Sequence, residues 1–319
     1  MDRRSGLRAI TAGLLTAPFA GRAAAAEKVP RVGTLFSGYD DAAGIIAALK
    51  PLGYEEGRTV EFVSRSGDGR AALEAGAREL LAAKVDVIVA GSTDEALAAR
   101  KVTATIPIVM VYGLAPVEMG LAQSLGQPGG NVTGTAAVPL ELSTKLVGLF
   151  RSAVPTLKQL AILGKADRWG ELVRREVEQA AHAVGIQTSA HPIGEAGDLD
   201  RALIDLARRP PDGMAVGIGL IPSYGRIVEF TVKQRIPAIY PVAPAVIRFG
   251  GLMSYSPNFP VLIKRTAAIV HRIIQGAQPN DTPIEQPTQY VFAVNLKTAR
   301  AMGFTFPQSV LLSADIVIQ

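Results

Sequence analysis

Short apolar runs rich in β-branched residues alternate with longer segments of helical periodicity from Val29 to about Tyr240. This alternation is typical of parallel β-sheets joined by crossover helices, so it predicts an α/β protein. In the first half the predicted strands are Arg31–Phe36, Thr59–Arg65, Asp86–Ala90 and Ile106–Val111, with helices at about Asp41–Leu52, Ala71–Ala83 and Asp94–Ala104. In the second half the predicted strands are Leu160–Leu163, Ile186–Ala190, Met214–Ile218 and Ala238–Tyr240, with helices near Trp169–Val184, Leu199–Ala207 and Ser223–Gln234. Two similar sheets in tandem indicate two similar lobes.

The chain changes character at three places that suit passages between two lobes. These are the turn cluster at residues 126–131, the glycine pair at 250–251 and the polar, proline-rich stretch 278–287. A predicted strand and helix follow the turn cluster. The glycine pair is followed by strand Leu252–Tyr255 and helix Val261–Gln275, and the proline-rich stretch is followed by strand Tyr290–Asn295. We therefore assign residues 27–138 plus 252–280 to the first lobe and 139–251 plus 281–319 to the second.

Residues 1–26 have the three parts of a cleaved export signal in the right order. A basic segment with Arg3, Arg4 and Arg8 precedes an apolar segment, and small residues ending at Ala26 precede Glu27. The apolar segment is too short to cross a bilayer, which takes about 20 residues. Both the general secretory route and the twin-arginine route fit the basic segment. Cleavage removes four arginines and one aspartate, which lowers the formal net charge from +5 to +2.

Composition excludes several kinds of chemistry. The chain has no cysteine, so disulfides, thiol nucleophiles and a lipidated anchor cysteine are excluded. Its three histidines, His182, His191 and His271, lack partners at metal or triad spacing, and no phosphate-binding loop or serine elbow occurs. A glycine-rich turn at residues 217–225 departs from the dinucleotide fingerprint. We expect no cofactor, no metal, no catalysis and, without a clustered basic face, no nucleic-acid partner.

Polar groups recur just after the first-lobe strands. Because the carboxyl ends of parallel strands meet at one edge of a sheet, these groups predict a ligand site there. The first-lobe candidates are Ser37, Tyr39, Ser92, Thr93, Tyr112 and Gly113, and the second-lobe candidates are Trp169, Leu220 and Tyr255. Simple helix capping is the alternative for Ser37, Ser92 and Thr93. Trp169 is either a stacking lid or a packed helix residue.

A dispersed set of motifs resembles the periplasmic substrate-binding components of ABC transporters whose better-known members bind aromatic amino acids such as tryptophan. The motifs are RVGTLFSG, LGYEEGRTVEF, DVIVAGST, TIPIVMVYG, SLGQPGGNVTG, IPAIYP, GGLMSYSPN and NLKTARAMGFTFPQSVL. The resemblance implies a type I periplasmic binding fold, with two Rossmann-like lobes, a hinge of three crossovers and a ligand held in the cleft between them. It also implies a periplasmic, monomeric protein that delivers a small molecule to a membrane permease.

Two departures from the family pattern affect the expected ligand. Family members commonly carry Asp-Pro-Val where this chain has Ala115-Pro116-Val117, and an acidic or amide residue in the loop that is Gly219-Leu220-Ile221 here. An ammonium group enclosed in the cleft would need a carboxylate. We therefore expect an acid or a neutral aromatic ligand rather than a plain zwitterionic amino acid. The alternatives are a sensory module for a membrane receptor, an exported α/β enzyme and a sugar-responsive regulator, although the last would need a DNA-binding segment where the leader stands.

Overall fold

The structure is a computed structural model that describes residues 29–37, 42–138 and 142–319. The predicted leader lies outside these residues. The described chain forms two α/β lobes, each built on its own predominantly parallel sheet, which confirms the predicted class. In the part of the chain that is described, the helices are too short or too polar to cross a membrane.

The first lobe is a five-stranded parallel sheet, within the described residues, in the order β2-β1-β3-β4-β5. Its elements are β1 (Arg31–Phe36), α1 (Ala43–Leu49), β2 (Glu61–Ser66), α2 (Arg70–Ala82), β3 (Val87–Ser92), α3 (Thr93–Val102), β4 (Ile108–Leu114) and β5 (Val132–Val138). Alternate residues of β3 pack on opposite faces, with Ile88 under α2 and α3 and Val89 under α1. Covered faces on both sides explain why the strands are continuous apolar runs.

The second lobe has a seven-stranded sheet among the described residues, in the order β12-β11-β10-β9-β8-β6-β7. The elements in chain order are α4 (Leu142–Ala153), β6 (Gln159–Lys165), α5 (Arg168–Ala183), β7 (Gln187–Ile193), α6 (Asp198–Arg208), β8 (Gly213–Val216), α7 (Tyr224–Gln234), β9 (Ala238–Tyr240), α8 (Pro244–Ile247), β10 (Met253–Pro257), α9 (Phe259–Ile274), β11 (Tyr290–Asn295), α10 (Leu296–Met302), α11 (Gln308–Ser313) and β12 (Ile316–Ile318). Of these, α9 packs on the first lobe. The pair β10 and β11 is antiparallel.

Strand β10 corrects the predicted lobe boundaries. Residues 252–280 were assigned to the first lobe, but Met253 pairs with Ile239 and Val294 in the second sheet. Helix α9, which follows after Asn258, does pack on the first lobe through Ile269 and its neighbours. The boundary is therefore at the start of α9. The apolar pattern of β10 could not reveal this, because the identity of a hydrogen-bonding neighbour is not written in a strand's own sequence.

The segment after α9 corrects the second boundary. Residues 281–319 were assigned to the second lobe, yet residues 282–285 run beside β5 of the first sheet. Glu285 N–H donates to the Gly134 carbonyl at 2.9 Å, and the Thr133 hydroxyl donates to the Thr282 carbonyl at 2.7 Å. Ile284 is buried in the first-lobe core. The third passage between lobes therefore comes after Glu285, and β11 begins the return to the second sheet.

Candidate functional site

Two sheet edges are the candidate site. We call the carboxyl ends of β1, β3 and β4 the first-lobe edge, and those of β6, β8 and β9 the second-lobe edge. A hydrogen bond joins the loops beyond them, because Arg168 Nη2 at the start of α5 donates to the Glu118 carbonyl oxygen at 2.5 Å. The two edges therefore belong to one interlobe cleft, which is where ligands bind in doubly wound sheets.

A buried carboxylate organises the first-lobe edge. Glu95 is 1% exposed and accepts hydrogen bonds from the Ser37 N–H at 2.8 Å, the Ser92 N–H at 2.9 Å and the Ser92 hydroxyl. These bonds tie the segment after β1 to the last residue of β3. A buried charge is tolerated because three donors replace its water shell. Glu95 was not among the predicted site residues, although the Ser-x-x-Glu spacing from Ser92 is a capping-box signature.

The predicted hydroxyls of this edge have structural partners. Ser92 is the N-cap of α3 and forms the full capping box, so its capping role is confirmed. Thr93 is buried; its hydroxyl donates to the Leu114 carbonyl at 2.9 Å and accepts the Leu114 N–H at 2.7 Å. It thus joins α3 to the end of β4. Ser37 does not cap α1, whose N-cap is Ala42, and its backbone N–H is held by Glu95 instead.

The remaining first-lobe candidates lie at the end of β4. Tyr112 is half-buried, and its ring meets Phe259 edge-on with centroids 5.2 Å apart. Gly113 is buried at a register shift between β4 and β5, where a Cβ would lie 3.1 Å from the Thr135 carbonyl oxygen. Tyr39 falls outside the described residues. The aromatic candidate of this edge is therefore Tyr112.

Ala115, one of the two departures from the family pattern, has a left-handed backbone with φ of 41° and is buried. Its carbonyl accepts the Met119 N–H at 2.9 Å, which helps to hold the turn. This conformation costs a side chain such as alanine about 1 kcal/mol. The turn is therefore kept in place by its neighbours, including the Thr93 bonds to Leu114.

The second-lobe candidates are mostly core residues. Trp169 is 9% exposed, so it is packed into the lobe rather than standing in the cleft as a lid. Leu220 is 5% exposed and belongs to the core cluster around Tyr224 and Tyr240, a position that does not favour its predicted role in enclosing a ligand. Its turn buries it because the chain coils into a short 3₁₀ segment at Ile218–Ser223.

Tyr255 is also away from the second-lobe edge. It lies on β10, which is separated from β8 by β9, and stacks on Tyr290 with centroids 5.4 Å apart and planes 13° apart. Burial and the nearby Asp315 carboxylate raise its pKa. These contacts are all within the second lobe. The expectation that Tyr255 encloses a ligand is therefore not favoured by its position.

Charged side chains at the cleft were also absent from the predicted site residues. Asp94 is solvent-accessible at the start of α3, yet desolvation by surrounding atoms and the Glu95 charge raise its pKa. Lys165 of the second lobe lowers that pKa and Asp167 raises it, so both are near enough to act across the cleft. Lys165 Nζ is 3.7 Å from Asp167 Oδ2. A first-lobe carboxylate and a second-lobe ammonium are therefore close enough for their charges to interact across the cleft.

The histidines lie elsewhere. His271 Nδ1 is 2.8 Å from the Tyr54 hydroxyl, and His191 lies beside Ser189 on the edge strand β7. Burial lowers the pKa of His191, which favours its neutral form. Among the residues that the structure describes, no three metal-ligating side chains form a cluster.

Comparison with known proteins gives a consistent family and fold. The family model described as "ABC transporter substrate binding protein" matches residues 37–318. A tyrosine-binding protein of Clostridioides difficile is 24% identical over 268 residues, covering 81% of this chain and 75% of that protein. The members of the matched family and this relative are binding proteins, which confirms the expectation that the chain is not an enzyme.

Two solved structures are similar over nearly their whole length. A Streptococcus pneumoniae ABC domain in complex with L-Trp has a TM-score of 0.83 at 22% identity, covering 91% of this chain and 99% of that one. A ligand-free, open substrate-binding protein with adhesive properties from Clostridium difficile has a TM-score of 0.70 at 21% identity, with the same coverage. These likenesses establish the type I periplasmic binding fold.

Proposed function

Because the chain belongs to the ABC transporter substrate binding protein family, we propose that it is the periplasmic, monomeric component that captures a small molecule in the interlobe cleft and delivers it to a membrane permease. The observation that carries this proposal is the meeting of both sheet edges in one cleft, joined by the Arg168 to Glu118 hydrogen bond. A ligand that contacts both edges stabilises the closed arrangement of the lobes. The permease then responds to lobe closure rather than to the ligand itself.

The charges of the cleft favour an amino acid as the ligand. The expectation of a ligand without an ammonium group rested on the polar groups missing at Ala115 and in the loop Gly219-Leu220-Ile221. Asp94 supplies a carboxylate at the first-lobe edge. Asp94 follows Thr93, whose hydroxyl bonds to Leu114 directly before Ala115. In this proposal the ligand ammonium faces Asp94 and its carboxylate faces Lys165. The named ligands of the relatives, tyrosine and L-Trp, support the same class of molecule.

Matched pairs of ligands test the amino-acid proposal. Leucine and 4-methylpentanoate share a side chain and a carboxylate but differ in the ammonium, as do phenylalanine and 3-phenylpropanoate. We expect calorimetry and thermal shift to detect the amino acid and not its deaminated partner, since a ligand selective for the native state raises the melting temperature. Tighter binding of the deaminated partners would overturn the proposal and restore the original expectation.

Asp94→Asn tests the residue. Hydrogen bonds to charged groups contribute about 1.5–3 kcal/mol, so the affinity for an amino acid should fall about tenfold or more. Asp205→Asn is the matched control, because Asp205 is an exposed acid on α6, away from both edges. Equal affinities for both variants and the parent protein would mean that Asp94 does not hold the ligand.

An ATPase assay identifies the membrane partner. The purified protein with its ligand should stimulate ATP hydrolysis by the cognate permease reconstituted in vesicles, and the ligand-free protein should stimulate it less. Stimulation of a membrane receptor instead would favour the sensory alternative. Light scattering of the purified protein checks the monomer.

A further inference from the structure

An apolar cavity of about 60 Å³ lies behind the second-lobe edge. Its walls come from α4, α5, β6 and β8, and they include Leu142, Leu146, Ile162, Trp169, Val173 and Val177. Residues of the edge itself, Gly164, Gly217 and Gly219, also line it. The cavity therefore extends from the strand ends into the lobe.

The cavity exists because side chains shrink toward the strand ends. On β6, Ile162 and Gly164 share the face toward α4 and α5, and on β8 Ala215 is followed on that face by Gly217. At the opposite end of β8, a Cβ on Gly213 would meet the Phe150 ring at 2.5 Å. The same layer is thus tightly packed at one end and hollow at the other.

Gly164 marks the empty space directly. A Cβ built on it would meet no atom within 4 Å, so this position near the end of β6 has room for a side chain that the sequence does not provide. Protein interiors are normally packed as closely as organic crystals, and apolar voids forfeit dispersion contacts. An apolar group that enters the cavity recovers these contacts.

We propose that this cavity is the side-chain subsite of the cleft and that it takes the small, branched end of an aliphatic side chain, about three carbons. The inference rests on the proposed function and deepens it by naming the side-chain class. A cavity of about 150 Å³ holds benzene, and at about 60 Å³ this one is too small for a phenyl ring or an indole. Trp169 forms part of its wall, so the single tryptophan acts as packing around the ligand's side chain.

Gly164→Val tests the subsite by filling it from the strand. Valine suits a strand, and the site offers space, so the variant should fold and keep its melting temperature. Its affinity for leucine or valine should fall about tenfold or more, since a single methylene in an apolar site already changes binding by about tenfold. Its affinity for alanine, which shares the head group but does not reach into the cavity, should change less than about twofold. Gly148→Ala is the matched control, because Gly148 is an exposed α4 position with equal room and no place in the cavity.

The outcomes separate this proposal from the one on which it rests. If the parent protein binds tryptophan more tightly than leucine, or if Gly164→Val leaves leucine binding unchanged, the subsite is overturned while the amino-acid proposal survives. If no amino acid binds, 4-methylpentanoate and 3-methylbutylamine report on the cavity alone. Binding of either that Gly164→Val abolishes would support the subsite without the head-group assignment, and binding of neither would overturn both.

Discussion

The two edges of the cleft differ in what lies buried behind them. At the first-lobe edge, the buried Glu95 carboxylate gathers the ends of β1 and β3, and the Thr93 hydroxyl joins α3 to β4. At the second-lobe edge, glycines replace side chains and leave an apolar cavity beside Trp169. The first edge is a hydrogen-bonded polar platform, whereas the second carries the Lys165 ammonium at the end of β6 and an apolar cavity behind it.

This difference suggests a division of labour within one ligand. A charged head group needs partners that do not reorganise, and a network of satisfied hydrogen bonds holds such partners in place. An apolar tail needs only volume and exclusion of water. The proposed orientation, with the head group near Asp94 and the tail behind Gly164, follows from these requirements.

Removing the carboxylate of Glu95 should have the largest effect. Glu95→Ala leaves the Ser37 and Ser92 N–H groups without their acceptor, and buried unsatisfied donors cost about 1–3 kcal/mol each. We expect the free energy of unfolding to fall by about 3 kcal/mol in urea denaturation. Glu79→Ala is the control, since Glu79 is an exposed partner of Arg65 and should lose less than about 1 kcal/mol. Equal losses would mean that the first-lobe platform does not depend on its buried charge.

Replacing a glycine by alanine should affect stability differently at the two edges. A Cβ on Gly91, near the end of β3, would lie 2.7 Å from the buried Phe36 ring, whereas one on Gly164, near the end of β6, meets nothing. Gly91→Ala should destabilise the protein by about 1–3 kcal/mol through overpacking. Gly164→Ala should change the free energy of unfolding by less than about 0.5 kcal/mol. Thermal denaturation of both variants checks this, and a reversed order would contradict the contrast in packing.

Removing the contact between the two edges should have a smaller effect, on lobe closure and ligand affinity. Arg168→Ala removes the hydrogen bond to the Glu118 carbonyl, so closed lobes lose about 1 kcal/mol and ligand affinity falls about fivefold. Small-angle scattering of the ligand-free variant should show a larger radius of gyration. Arg175→Ala, at an exposed arginine of the same helix, should leave both measurements unchanged. A change of similar size in the control would assign the effect to helix α5 rather than to lobe contact.

Replacing the exposed carboxylate of Glu171 should have the smallest effect on the stability of the protein. Hydrogen bonds and charge from Arg174 and then Arg175 lower the pKa of Glu171 to about 2. A lowered pKa contributes stability above the unfolded value near 4.5, and this contribution is lost as the pH falls toward 2. Glu171→Gln should therefore unfold slightly more easily than the parent at pH 7 and equally near pH 2. A difference that grows at low pH would reverse the sign and contradict the assignment.

Local sequence patterns predicted only part of the candidate site. The ends of β1 and β9 were predicted at the right residues, but β3 and β4 continue to Ser92 and Leu114, past the predicted ends. The capping alternative for Ser92 followed from its position before α3. Leu220 and Tyr255 were chosen by closeness to strand ends in the sequence, whereas burial and sheet order, which do not favour either as a ligand contact, depend on the tertiary structure. Asp94 was overlooked because its significance depends on Lys165 across the cleft.

The amino-acid sequence by itself determined the α/β class, the two tandem lobes and the family, because strand and helix periodicities and contiguous motifs are local properties of a chain. Only the tertiary structure decided that β10 joins the second sheet, that the Thr93 hydroxyl bonds to Leu114, and that Trp169 lies beside the space left by Gly164. Each of these depends on residues or strands apart in the sequence whose contact is set by how layers pack. A cavity has no motif, since it is defined by the side chains that several distant segments fail to provide.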